Sequence, residues 1–168
     1  MSTAEHKEKA PKQVGCMVIT VSDTRTEETD KSGQLMMQLA VEAGHLVNQY
    51  RIVKDEPAQV VEAIEAGLAD PGVDVILVNG GTGISPRDNT FEAVTGMLEK
   101  QLPGFGELFR MLSYTEDIGS AAMLSRAVAG VRQGKAIFST PGSTGAVRLA
   151  MTRLIVPELG HVVRELNR

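Results

Sequence analysis

Three short runs read as strands with apolar centres: VGCMVITV (14–21), which is apolar almost throughout, DVILVN (74–79) and KAIFST (135–140). A strand with one wet face alternates polar and apolar residues. The unbroken run at 14–21 predicts a strand covered on both faces, as in a largely parallel sheet. Between them lie stretches with helical spacing. Leu35, Met36, Leu39 and Ala40 share one face of a helix that Asp30 can cap and Gly44 can stop. Val60, Val61, Ile64 and Leu68 share a face of a second helix, capped by Asp55 or Glu56 and with Pro57 in its first turn. HLVNQYRIVK (45–54) reads as a further strand, and Asn89 with Glu92 resembles a capping box for a helix to about Gln101. Helices are also expected near 106–116, over 144–155 and from Pro157 to about Leu166, while residues 120–132 leave helix and strand open. Strands alternating with helices predict an α/β fold with a mostly parallel sheet covered on both faces.

A chain of 168 residues suits one domain, and no repeat or linker divides it. The polar start, MSTAEHKEKAPKQ, reads as a flexible arm over residues 1–12, with a single domain over 13–168. It lacks an apolar signal core, and no stretch approaches the ~18 apolar residues of a membrane span, so a cytoplasmic protein is expected. Aromatic content of 4% without Trp, and a net charge of −4, argue against nucleic-acid partners, which need stacking platforms and basic faces. The single cysteine, Cys16, rules out an internal disulfide and reads as an inert buried thiol. His6, His45 and His161 have no metal-ligand spacing to one another, so no histidine metal site is expected.

In a parallel sheet, ligands bind beyond the carboxyl ends of the strands. That directs attention to the loops 22–29, 80–90 and 141–145, each following a strand and each rich in Gly, Ser, Thr or Asp. The central one, GGTGISPRDNT, is neither a Walker A loop, for no Lys follows, nor a dinucleotide fingerprint, for no third glycine closes GxGxxG. Gly80, Gly81 and Gly83 can still present consecutive N–H groups to a phosphate, with the Thr82 hydroxyl and a helix N-terminus nearby. A tight turn with buried glycines explains the same residues equally well. Asp88 beside phosphate-binding amides is unfavourable unless a cation such as Mg²⁺ bridges carboxylate and phosphate, and Asp55 can supply a second carboxylate. Arg87 suits either a phosphate contact or a pair with a neighbouring acid. In PGSTG (141–145), Ser143 and Thr144 suit an anion contact or, more simply, a helix cap.

Seven segments in order carry a resemblance: TVSDT (20–24), DKSG (30–33), DE (55–56), NGGTGISPRDNTFEAV (79–94), PGFGE (103–107), MLSRAVAGV (123–131) and STPGS (139–143). Together they are similar to the MoaB/MogA family of molybdenum-cofactor biosynthesis proteins, related to the G domain of gephyrin. The resemblance spans residue 14 to the C-terminus, and PGSTGA in the last loop places the chain nearer MoaB. It implies a three-layer α/β/α sandwich assembled as a homotrimer or hexamer, binding molybdopterin and Mg-ATP, with Mg²⁺ as cofactor. The implied activity is adenylylation of molybdopterin before molybdate insertion by a MoeA-type partner. Carried over residue by residue, the phosphate-binding motif falls on Gly80, Gly81, Thr82 and Gly83. The two functional aspartates, also expected to hold Mg²⁺, fall on Asp55 and Asp88. Ser22, Asp23, Pro141, Gly142 and Ser143 are expected to line the same pocket. The alternatives are a non-catalytic molybdopterin-binding or carrier protein of the same pathway, and an oligomeric domain serving another phosphorylated ligand. The Met- and Leu-rich segment 105–130 carries more apolar surface than one chain of this size buries, which favours self-association.

Overall fold

In the computed structural model, which describes residues 2–168, the three apolar runs lie side by side at the centre of one sheet. They form β1 (Gly15–Val21), β3 (Val75–Asn79) and β6 (Lys135–Thr140). With β2 (Leu46–Val53), β4 (Lys100–Gln101) and β5 (Val128–Arg132), the order is β2-β1-β3-β6-β5-β4. The pairs β1/β2, β1/β3 and β3/β6 are parallel, whereas β5 and β4 extend the far edge antiparallel.

Successive strand residues point to opposite faces, and the two faces carry separate cores. Cys16, Val18, Leu77 and Phe138 pack with Met36, Phe109, Met151 and Leu159. Met17, Ile19, Ile76 and Ile137 pack with Val60, Ile64 and Val94. Helices α2 (Lys31–Glu42), α5 (Pro103–Glu116), α6 (Thr144–Ala150) and α7 (Val156–Leu166) therefore cover one face. Helices α3 (Pro57–Ala69) and α4 (Thr90–Thr95) cover the other. The expected three-layer sandwich is present, and every position of β1 and β3 is buried because both faces are used. Asp30 caps α2 by accepting from the Gly33 N–H at 3.0 Å, and Gly44 ends it with a φ of 92°.

Several local expectations differ from what is found. The helix expected to run to Gln101 stops at Thr95, and the chain then joins the sheet edge, with Glu99 N–H bonding to Val131 O at 2.9 Å. Asn89 does not cap α4 with its side chain; its amide reaches Pro86 O instead. Residues 119–124 form a 3-10 turn, and 128–132 form a hairpin with β6. The two-residue connection, Gln133 (φ 51°) and Gly134 (φ 73°), has the positive dihedrals that match strand twist. The two C-terminal helices are one continuous rod, because a π-helical turn at Met151–Ile155 joins α6 to α7.

The stretch read as a flexible arm carries a helix, α1 (Thr3–Glu8), closed by a reciprocal Ser2–Glu5 capping box. It lies against α7 and brings His6 beside His161, with ring centroids 5.7 Å apart. The sequence offers no metal-ligand spacing between these histidines, and their meeting is a packing contact between distant segments that local spacing does not encode. Burial pushes the Cys16 thiol up to about 12, in keeping with an inert core residue. Among the described residues, no helix is long and apolar enough to cross a membrane.

Candidate functional site

From β1 the chain turns to β2 on one side and returns to β3 on the other, which opens a crevice at the carboxyl ends of β1 and β3. A cleft of about 360 Å³ occupies that position. Ser22, Arg25, the glycine loop 80–83, Asp88, Pro141 and Gly142 line it on the polar side, and Ile118, Ala121 and Leu124 on the apolar side.

The glycine loop serves the fold and leaves donors over. Gly80 (φ 101°) and Gly81 (φ 70°) adopt left-handed dihedrals. A Cβ on Gly80 would stand 2.2 Å from Val21 O, and one on Gly81 would stand 2.0 Å from Thr90 Oγ1 and 2.7 Å from Asp55 Oδ2. The loop thus presses on the end of β1 and the start of α4. Gly80 N–H is used by Thr140 O at 2.9 Å. Among the described residues, nothing accepts from the N–H groups of Gly81, Thr82 and Gly83. Three successive free amides beside a cleft are what anion binding requires.

Arg126, which the sequence reading did not single out, braces this loop. Its guanidinium donates to Gly83 O at 3.0 and 2.7 Å and to Asp88 O at 2.9 Å. It also pairs with Glu92 and stacks 5.1 Å from the centre of the Phe91 ring. Its backbone N–H bonds to Thr82 O at 3.1 Å. Its only sequence signal was its place inside MLSRAVAGV.

The carboxylates form a cluster with a defined division of labour. Asp55 is buried and does not cap α3; its Oδ1 reaches across to accept from Asn89 N–H at 3.1 Å. Asp88 Oδ2 accepts from the Ser85 N–H at 2.9 Å and the Ser85 hydroxyl at 2.6 Å. Asp55 Oδ2 and Asp88 Oδ1 accept nothing among the described residues. Burial raises the Asp55 carboxyl above its ordinary range; the Asn89 N–H opposes that, while the negative Asp88 and Asp23 reinforce it. Crowded carboxylates with one open oxygen each fit a hard, oxygen-seeking cation, so Asp55 and Asp88 suit Mg²⁺. Thr90 Oγ1, next to both Gly81 and this cluster, is buried without a partner.

Arg87 is taken up by acids. Its Nε and Nη2 hold both oxygens of Asp23 at 3.0 and 2.9 Å, and Nη1 reaches Glu56 at 2.7 Å. The Arg87 guanidinium in turn holds the Asp23 carboxyl below its ordinary range, helped by the Asp55 N–H. Asp23 therefore faces Arg87 and does not line the cleft. Ser143 also stands back from it, capping α6 through Ala146 N–H at 3.1 Å. Ser22 lines the cleft while its Oγ accepts from the N–H groups of Thr24 and Arg25. Among the described residues lining the cleft, Arg25 is the one cation. Its Nη2 donates to Gly142 O at 2.8 Å and its Nη1 lies 3.6 Å from Asp30 Oδ1. Sequence reasoning passed over it because a loop arginine among Ser, Asp and Thr carries no distinctive spacing.

Residues 17–161 match the family described as "Probable molybdopterin binding domain". The chain is 62% identical over 168 residues to "Molybdenum cofactor biosynthesis protein B" of Bacillus subtilis, covering all of this chain and 99% of that one. A crystal structure of a "Molybdenum cofactor biosynthesis protein B" is similar with a TM-score of 0.92 and 61% identity, over 95% of this chain and 99% of that one. The crystal structure of "tungsten cofactor synthesizing protein MoaB" from Pyrococcus furiosus is similar at 0.79 and 37% identity, over 95% and 100% of the two chains.

Proposed function

The chain belongs to the molybdopterin-binding domain family, and from that premise we propose that it is a cytoplasmic enzyme of molybdenum cofactor biosynthesis that adenylylates molybdopterin. One observation carries the reading: the free amides of Gly81, Thr82 and Gly83 lie beside two carboxylates that each keep an open oxygen. Amides alone suit any anion. Amides next to Asp55 and Asp88 suit an anion that arrives with a divalent cation.

In the proposed reaction the terminal phosphate of molybdopterin attacks the α-phosphorus of ATP in line. The bond to the bridging oxygen breaks and pyrophosphate leaves. Such a transfer asks the protein chiefly for positioning and charge stabilisation. The amides of 81–83 hold phosphate oxygens, Arg25 adds a positive charge to the polar wall of the cleft, and Arg126 keeps the loop in shape. Mg²⁺ held by Asp55 and Asp88 would supply neutralisation of phosphate charge. The apolar side of the cleft, with Ile118 and Leu124, suits the flat face of a pterin. Exposed Tyr114, Ile118 and Met123 support assembly as a homotrimer or hexamer, and the adenylylated product would pass to a MoeA-type molybdate insertase.

The test is turnover. The protein mixed with molybdopterin and Mg-ATP is expected to release pyrophosphate in step with adenylylated product. Calorimetry that finds molybdopterin binding without ATP binding, and no pyrophosphate, would replace the enzyme with a carrier.

A further inference from the structure

Helix α1 has no buried residue, and six residues are too few to hold a helix by themselves. Polar contacts to α7 are what dock it. The His6 Nδ1 lies 2.5 Å from Glu165 Oε1, and Lys7 Nζ lies 2.5 Å from Glu158 Oε1. The adjoining segment is pressed close, since a Cβ on Gly160 would stand 2.5 Å from Pro11 O. At the centre of this seam His6, His161 and Glu165 turn one ligand atom each to within 4.8 Å of one another.

We propose that His6, His161 and Glu165 form a binding site for a divalent transition metal of the zinc class, which fastens the N-terminal helix to the C-terminal one. Two imidazoles and one carboxylate are a donor set that such ions take, with a fourth position left to water. His161 and Glu165 stand one helical turn apart on α7 and so project from one face. The supporting contacts select the ligand atoms. Glu158 Oε2 accepts from His161 Nδ1–H at 2.9 Å, which leaves Nε2 as the basic nitrogen, 4.0 Å from Glu165 Oε1. A carboxylate behind a histidine in this way is the usual outer support of a metal-bound imidazole. Arg168 occupies Glu165 Oε2 at 2.9 Å, so Oε1, which faces His6 Nδ1, is the oxygen that would bind the ion in place of that contact. The His6 and His161 side chains are 13% and 23% exposed, so the ion sits in a half-buried notch that solvent can reach. Tetrahedral ligands of zinc stand about 3.3 Å apart. The observed 2.5 and 4.0 Å bracket that figure, and side-chain rotation of about an ångström closes the site. In the metal-bound form His6 Nδ1 is the ligand and the remaining ring proton sits on Nε2.

The experiment uses the full-length protein without an affinity tag, with Co²⁺ as the spectroscopic probe and Zn²⁺ as its competitor. One Co²⁺ per chain with the strong visible absorption of a four-coordinate centre is expected, displaced by Zn²⁺, and Zn²⁺ raises the melting temperature. Glu165→Gln keeps the shape and the hydrogen-bond acceptor, so it separates ligation from docking, and it should abolish the absorption. His6→Ala should do the same. Glu158→Gln should weaken binding roughly 10- to 100-fold, as loss of an outer-shell partner does. The double variant Asp55→Asn, Asp88→Asn should bind Co²⁺ as the wild type does. Absence of saturable binding, binding unchanged in Glu165→Gln and His6→Ala, or binding lost only with the two aspartates would each overturn the proposal.

Discussion

One side of the cleft is braced by buried and charged side chains, and the other leaves apolar side chains uncovered. The 80–90 loop is fastened by Arg126 to three carbonyls, by Arg87 to Asp23 and Glu56, and by Asp55 to Asn89 N–H. Its glycines sit where a Cβ would collide with backbone or side chain. Across the cleft, Ile118 and Leu124 are 53% and 48% exposed, and the neighbouring Tyr114 and Met123, which lie outside the cleft, are 61% and 79% exposed. The polar end can hold its shape in an isolated chain. The apolar end presents a surface that one copy of the chain leaves uncovered, so its role involves a second surface, a ligand or both.

Substitutions at the two ends should therefore fail in different ways. The largest effect is expected from Gly81→Ala, which strains a φ of 70° and drives a methyl onto Thr90 Oγ1. A loss of about 3 kcal/mol, or roughly 6–12 °C in melting temperature, should accompany loss of turnover. A near-normal melting temperature would show that the loop is not fixed as described. At the other end, Met123→Asp should cost the fold less than about 0.5 kcal/mol, yet shift sedimentation toward the monomer. Unchanged sedimentation would remove this exposed apolar surface from the assembly.

Asp55→Asn sharpens the contrast by pH. The raised carboxyl binds its proton more tightly in the folded state, so ionising it costs stability, and that cost is full at neutral pH. Without metal, the variant should melt above wild type at pH 8. The gap should close as pH falls through the raised value toward about 4, the ordinary carboxylate range. A variant less stable than wild type throughout would mean that Asp55 is a structural cap. Arg87→Ala should have the smallest effect, a melting temperature little changed from wild type, because the ion pairs it makes are exposed and screened by solvent.

The fold was legible where pattern is local. Short runs with apolar centres named the three central strands, the unbroken one at 14–21 implied two covered faces, and Asp30 and Gly44 marked the ends of α2 as found. Contacts between distant residues were not legible. Asp55 sits where a helix cap belongs, and only folding shows that it reaches Asn89 instead. Asp23 and Ser143 were expected in the pocket, but Arg87 and the first turn of α6 engage them first. The reach of Arg126 to the glycine loop, and of His6 to Glu165, follows from packing that no spacing encodes. The glycine motif had left turn and anion cradle open; Gly80 and Gly81 make the turn, and the amides beyond Gly80 N–H remain free.

The central claim is that Asp88 and the neighbouring amides act together on a phosphate that arrives with Mg²⁺. It is tested most directly by pyrophosphate release from Mg-ATP and molybdopterin, comparing wild type with Asp88→Asn. The account predicts turnover by the wild type and a fall of at least about 100-fold in the variant, the scale of losing one preorganised electrostatic contact. Undiminished release by Asp88→Asn would contradict it.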